Sequence, residues 1–283
     1  MNIGDTKKTI KLLEELNEYD EYAYERAVLA YLQLGGLPIF MTKLYAGDSF
    51  FHTRTHDKEE FFAKVTDISI PPQELVKDFA RCNRPFQSTF YCSNSRPTSY
   101  MELLENWADS KEIGGCLIVT VGLWKLKKDI NVIIVTSPYS ENRMSDFDKE
   151  HGVHFDSCIS KYKGEELESL KLFYQFLFEK FRKPAKKDIK TYIITSAYCN
   201  IAFMSTKGES DAVYYPSVPF QGAGTNLCIN KNSFKNENIE LNQLLRHEFL
   251  ISKNVEGKQS FIELSKIETS DISIKNNRIN WCK

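Results

Sequence analysis

Apolar residues recur at three- and four-residue steps over positions 6–34, where Ile10, Leu13, Leu16, Ala27, Val28, Tyr31 and Leu32 are separated by Lys and Glu. That period predicts helix, ended by Gly35-Gly36 and then Pro38, since glycine accepts the turn that closes a helix and proline cannot continue one. Phe50–Arg54 reads as a strand, Pro71-Pro72 punctuates the chain, and a helical turn runs through Leu75 and Phe79. Residues 86–93, rich in rings and β-branched side chains, predict a strand. Pro97-Thr98 opens a helix through Met101, Leu104 and Trp107, with Thr98 as its cap and Glu102 early, near the positive end of the dipole.

Further on, the dominant apolar content of Cys116–Val121 and Ile130–Thr136 predicts strands buried on both faces. Residues 165–182 carry the widest helical stripe, from Leu167 through Phe173, Tyr174 and Phe178 to Phe181. The basic joint 183–187 breaks it, and Tyr192, Ser196, Cys199 and Phe203 suit a second helix over 188–204. Asp211–Tyr215 and Thr225–Ile229 return to strand, and the weakly alternating tail after 236 predicts a small β extension. The division expected is a helical extension over 1–38, a main domain over 39–232 and a β extension over 233–283 packed on the same domain, in the α+β class. The extension at 1–38 reads either as a cap on the main domain or as a separate docking element.

Composition narrows the function more than the fold. With 37 basic and 38 acidic residues the net charge is −1, so no global field draws nucleic acid or an anionic membrane, and neither is expected as a partner. No apolar segment follows the N-terminal Met1–Lys8 and no apolar run reaches membrane-spanning length, which predicts a cytoplasmic protein. Seven widely spaced cysteines form no CxxC pair, and they read as buried reduced thiols rather than disulfides or a metal site. His151 and His154 have no further ligands near them in sequence, so no metal is expected.

The common nucleotide and hydrolase signatures are absent: no GxxxxGK[ST], no GxGxxG between strand and helix, no HExxH, no GxSxG and no kinase set. What the chain does carry is Arg81-Cys82-Asn83, then Phe90-Tyr91-Cys92, then Thr98-Ser99-Tyr100-Met101-Glu102. Far downstream follow Tyr215-Pro216-Ser217 and Gly224-Thr225-Asn226-Leu227. In order and spacing this series resembles the RES family of bacterial NAD⁺-degrading proteins, over roughly residues 50–230. The chain departs from that pattern at Ala80, where glycine is usual, at Cys82, where an aromatic is usual, and at Arg84-Pro85-Phe86, which replaces a Pro/Gly-rich turn.

The resemblance implies an ADP-ribosyltransferase-like fold, two packed β-sheets around an NAD⁺ cleft with flanking helices, in which Arg81, Tyr91, Glu102 and Ser217 line the cleft. A guanidinium offers a planar fork to a pyrophosphate, which suits Arg81, with Arg54 a second candidate. Tyr91 can stack on the cationic nicotinamide ring, a contact worth about 0.5–2 kcal/mol. Glu102 can stabilise the positive charge that develops on the ribose as the glycosidic bond breaks, or orient the attacking water. Ser217, after the rigid Pro216, can bond the nicotinamide amide or a ribose hydroxyl. Each residue alone has a plainer role, as solvated charge, strand residue, helix first turn or turn serine; the four in family order favour the functional one.

The expected activity is therefore cleavage of NAD⁺ at the nicotinamide–ribose bond, with water or phosphate as acceptor and no metal. Toxin–antitoxin pairing, common among RES proteins, implies a cognate antitoxin protein. The alternatives are a mono-ADP-ribosyltransferase acting on a macromolecule, and a binding or immunity module that kept the fold and lost turnover.

Overall fold

The computed structural model describes residues 1–56, 61–100, 103, 112–183, 188–217, 224–235, 237–253, 259–273 and 276–281. It is a mixed α+β protein built on one large sheet. The strands are β1 (Met41–Leu44), β2 (Ser49–His56), β3 (Thr89–Ser93), β4 (Cys116–Leu126), β5 (Ile130–Ile134), β6 (Ala212–Pro216), β7 (Thr225–Asn230), β8 (Ile239–Lys253), β9 (Gln259–Ser273) and β10 (Arg278–Trp281). They lie in the order β1-β5-β6-β7-β3-β2-β4-β8-β9-β10. Neighbours are antiparallel except β5 and β6, which run parallel.

The connections show that this sheet is rolled. β4 and β5 stand five places apart in the order, about 24 Å if flat. Only residues 127–129 join them, a link that reaches roughly 14 Å. The link from β1 to β2 spans the same five places with residues 45–48, and it is hydrogen-bonded to the end of β4 through Gly47 N–H to the Leu126 carbonyl at 2.8 Å. The two halves of the sheet therefore face each other across a shared core of Phe50, Phe90, Trp124, Ile134, Tyr214, Leu227 and Leu244. Residues 61–70 and β10 close that core, with the Trp281 indole N–H donating to the Phe62 carbonyl at 2.8 Å.

The other face of the β5-β6-β7-β3 half carries the helices: α1 (Ile3–Glu14), α2 (Ala23–Leu32), α3 (Asp146–Ile159), α4 (Gly164–Arg182) and α5 (Ile189–Ser205). Phe173, Tyr174, Leu177 and Phe181 of α4 pack with Tyr198 of α5, Tyr31 of α2 and Tyr215 of β6 in a single cluster. Leu13, Leu16, Ala27 and Ala30 belong to it, so the N-terminal segment is a helical hairpin on the main core rather than one continuous helix. The β2-β4-β8 half carries a smaller cluster of Leu117, Val119, Val121, Phe249 and Ile251, with Tyr100 against it.

Three expectations are corrected here. The tail beyond 236 is not a small extension: β8 and β9 are 15 residues each, and β8 pairs along the whole of β4. Cys116 is exposed, whereas Cys82, Cys92, Cys199 and Cys228 are buried free thiols. The residues 146–159, unassigned from the sequence, form α3. Phe147, His151, Phe155 and Ile159 fall four apart on its buried face, but acids dilute the stripe. Gly152 is required there, because a Cβ would stand 2.3 Å from Nε of Arg143, whose guanidinium is fixed by two bonds to Asp156 at 2.6 and 2.7 Å.

Among the described residues, no helix is long and apolar enough to cross a membrane.

Candidate functional site

The segments that carry the motif series meet at the C-terminal end of β3. Along β3, Phe90 and Cys92 point into the rolled core, whereas Tyr91 packs on the helix side, and the period of two puts Ser93 with it. Ser93 donates to the Asn226 side-chain oxygen on β7 at 2.7 Å, and the pair is buried. One residue on, the Asn94 side chain accepts the Thr225 N–H at 2.9 Å. Ser217, fully buried, follows β6 and its N–H donates to the Gly224 carbonyl at 2.7 Å.

Residues 96–100 are helical, and their start is held by Ser95, whose hydroxyl accepts the Thr98 N–H at 3.2 Å. Ser95 rather than Thr98 is thus the cap. Thr98 lies inside the turn, its own hydroxyl bonded to that of Ser95 at 2.6 Å and its side chain against the backbone of Gly224. Ser99 is tied to Thr53 of β2 at 2.7 Å. Glu102, with Met101, Leu104 and Trp107, lies outside the described residues.

Arg81 and Tyr91 act together on the helix side. The Tyr91 hydroxyl donates to the Asn83 side chain at 2.8 Å and accepts the Cys82 N–H at 2.9 Å, which pins the Arg-x-Asn turn to β3. Burial pushes the Tyr91 phenol well above its ordinary range. The Arg81 guanidinium donates to the carbonyls of Lys180 and Lys183 at 2.9 and 2.6 Å, at the C-terminal end of α4, and stands over the Tyr192 ring. It caps a helix end that would otherwise leave carbonyls without partners. Beneath the turn, burial raises the pKa of the Cys82 and Cys199 thiols, leaving no reactive thiolate there.

Arg54 lies on the opposite face of the sheet. Its guanidinium donates to the Ser69 carbonyl at 2.7 Å, and burial lowers its pKa. The fold thus brings Ser217 to the end of β3 and Tyr91 and Arg81 to the adjoining turn, and leaves Arg54 across the sheet. Ser93, Asn226 and Asn83 were not singled out from the sequence as site residues. Asn83 and Asn226 do stand within the motifs, and both are buried amides whose side-chain oxygens accept from β3, Asn83 from Tyr91 and Asn226 from Ser93.

His52 underlies the site on the core face. Its Nδ1–H donates to the Tyr91 carbonyl at 2.5 Å, its ring lies 4.5 Å from that of Phe90, and its Nε2 is buried without a partner. Burial and the neighbouring Arg54 push its pKa from 6.5 down to about 3. The unfolded chain therefore takes up a proton below 6.5 that the folded protein refuses. The His52 contribution to stability is full above that pH and falls by about 1.4 kcal/mol per pH unit from pH 6.5 towards pH 3. Urea denaturation across this range should show a fall in stability steeper by about that slope in the wild type than in His52→Gln; equal slopes would refute the assignment to His52.

Among the described residues no group of His, Cys, Asp and Glu is placed to hold a metal ion. No model of a known protein family matches the chain, and no curated protein matches it.

Proposed function

We propose that the chain is an NAD⁺-consuming enzyme that breaks the nicotinamide–ribose bond, in an ADP-ribosyltransferase-like fold. The observation that carries this reading is the meeting at one end of β3 of motif segments more than 100 residues apart in sequence. Ser93 bonds Asn226, Ser217 bonds Gly224, and Thr98 packs on Gly224. A rolled sheet with a helical layer on one side is also compatible with a cleft between two packed β-sheets.

In this reading Ser217 and Asn226 present a hydroxyl and an amide suited to the carboxamide of nicotinamide. Glu102, which follows the turn at 96–100 in sequence, supplies the carboxylate that stabilises the oxocarbenium character of the ribose. Tyr91 and Asn83 hold the Arg-x-Asn turn in place. Arg81 serves through α4, since its guanidinium is bonded to two main-chain carbonyls, rather than as a free fork for the pyrophosphate.

The departures from the family pattern at Ala80 and Cys82 favour a second reading, a module that binds a dinucleotide without turnover. The test is nicotinamide release from NAD⁺ by the purified chain, with Glu102→Ala and Ser217→Ala alongside. Release that falls at least about a hundredfold in Glu102→Ala and about tenfold in Ser217→Ala is expected, by analogy with the loss of single electrostatic groups from other active sites. Saturable NAD⁺ binding without release would move the protein to the second reading. Undiminished release by both variants would refute the residue assignment.

A further inference from the structure

The far end of β3 carries a second feature that the NAD⁺ reading does not use. Residues 84–87 form a tight turn in which the Gln87 N–H donates to the Arg84 carbonyl at 3.2 Å, with Pro85 second and Phe86 third. Phe86 has φ 61°. Proline followed by a positive φ is the type II pattern, whose third position takes glycine or asparagine because a Cβ there crowds the backbone. A phenylalanine in that conformation is strained, and the strain is not offset by burial: its ring is 53% exposed. Strain of this kind concentrates where side-chain position has a use.

The ring stands at the rim of a cavity of about 420 Å³ between residues 86–89, the end of α5 and the connection from β7 to β8. Lys77 Nζ sits 4.9 Å from the ring centre, and the Phe86 N–H is bonded to the Val76 carbonyl at 2.7 Å, so the platform is held on two sides. The walls bring in the Gln87 and Asn200 amides, bonded to each other at 2.6 and 3.1 Å, and Asn230. Met204 adds an exposed apolar surface, and Lys231 is the one charged residue of the described lining.

A stacking ring, the second N–H of the Gln87 and Asn230 amides beyond their internal bonds, the cations Lys231 and Lys77 beside the ring, and no carboxylate among the described lining match a heterocyclic base that carries a phosphate. We propose that this cavity binds a purine mononucleotide, with the base on Phe86 and the phosphate at Lys231. Thr89 lines the cavity while Ser93 lies four residues along the same strand, about 13 Å away, so the site is distinct from the one at the C-terminal end of β3.

The test is calorimetric titration of the full chain with GMP, which is not a fragment of NAD⁺, so its binding does not report on the proposed NAD⁺ cleft. Saturable binding is expected. Phe86→Gly should weaken it at least tenfold while raising Tm, because glycine relieves the turn. Phe86→Leu keeps the strained Cβ without the ring and should weaken binding without raising Tm. Lys231→Ala should weaken GMP but leave guanosine unchanged. No binding at millimolar GMP, or binding that Phe86→Gly and Lys231→Ala leave intact, overturns the proposal, as does a fall in Tm for Phe86→Gly. Nicotinamide release unchanged in Phe86→Gly is expected as well. The two readings fail separately, because the GMP titration is interpretable whether or not the wild type cleaves NAD⁺.

Discussion

Gly224→Ala is expected to lower nicotinamide release by at least about a hundredfold, on the ground that misplacing a catalytic constellation by about 1 Å costs that much. A Cβ at this position would meet the Thr98 side chain at 2.2 Å from Oγ1 and 2.7 Å from Cγ2. Thr98 cannot swing aside, for it is buried and its hydroxyl and N–H are both bonded to Ser95. Either the helical turn at 96–100 retreats from β7 or the Gly224 backbone moves. The first displaces the turn that immediately precedes Glu102 in sequence. The second pulls on Ser217, whose N–H is bonded to the Gly224 carbonyl, and on Thr225, which is held by Asn94. Overpacking a buried contact also costs about 1–3 kcal/mol of stability, so Tm is to be read alongside activity. The double variant Gly224→Ala/Thr98→Ala removes the two closest atoms and should recover part of both. Wild-type turnover by Gly224→Ala would show that this contact does not position the site.

How much of this was legible in the sequence depended on what each pattern encodes. The α4 stripe and the mostly apolar runs of β4 and β5 declared themselves because burial alone dictates them. α3 did not, since its buried face includes Asp148, bonded to the Ser145 cap, and the exposed acids around it, Asp156 with its bond to Arg143 among them, dilute the stripe. β8 and β9 were underestimated for another reason. β8 buries Arg246, in line with Thr120, and β9 carries outward charge such as Glu263, which is exposed and bonded to His247, and both dilute the apolar alternation. The roll of the sheet was not readable at all, because it follows from which strands pair, and short links only reveal it once the order is known. At the site, the motif order names segments that the fold sets side by side, Ser93 against Asn226 and Thr98 against Gly224. It could not say where a guanidinium points. Arg81 has one spacing relation to Tyr91 whether it faces a cleft or a helix end, and only the position of α4 decides.

Arg81→Ala is accordingly expected to act on the fold before it acts on substrate. The side chain makes two charge-assisted bonds to main-chain carbonyls at the end of α4, 2.9 Å to Lys180 and 2.6 Å to Lys183. A cation there also meets the negative end of the helix dipole. Hydrogen bonds from charged groups contribute about 1.5–3 kcal/mol when buried; with one of these carbonyls towards solvent, a total loss of about 2–3 kcal/mol is expected, a fall in Tm of roughly 4–10 °C for a chain of this size. Arg81→Lys keeps the charge but cannot reach both carbonyls with one ammonium, so it should recover less than half of the loss. If Arg81 instead held a pyrophosphate, Arg81→Ala would leave Tm unchanged and raise KM for NAD⁺ with little change in kcat. The fold-first account predicts that KM is nearly constant at a temperature where the variant is fully folded. Thermal denaturation and steady-state nicotinamide release on the same preparation separate the two. A large rise in KM at constant Tm would return Arg81 to the substrate and require the guanidinium to leave α4 on binding.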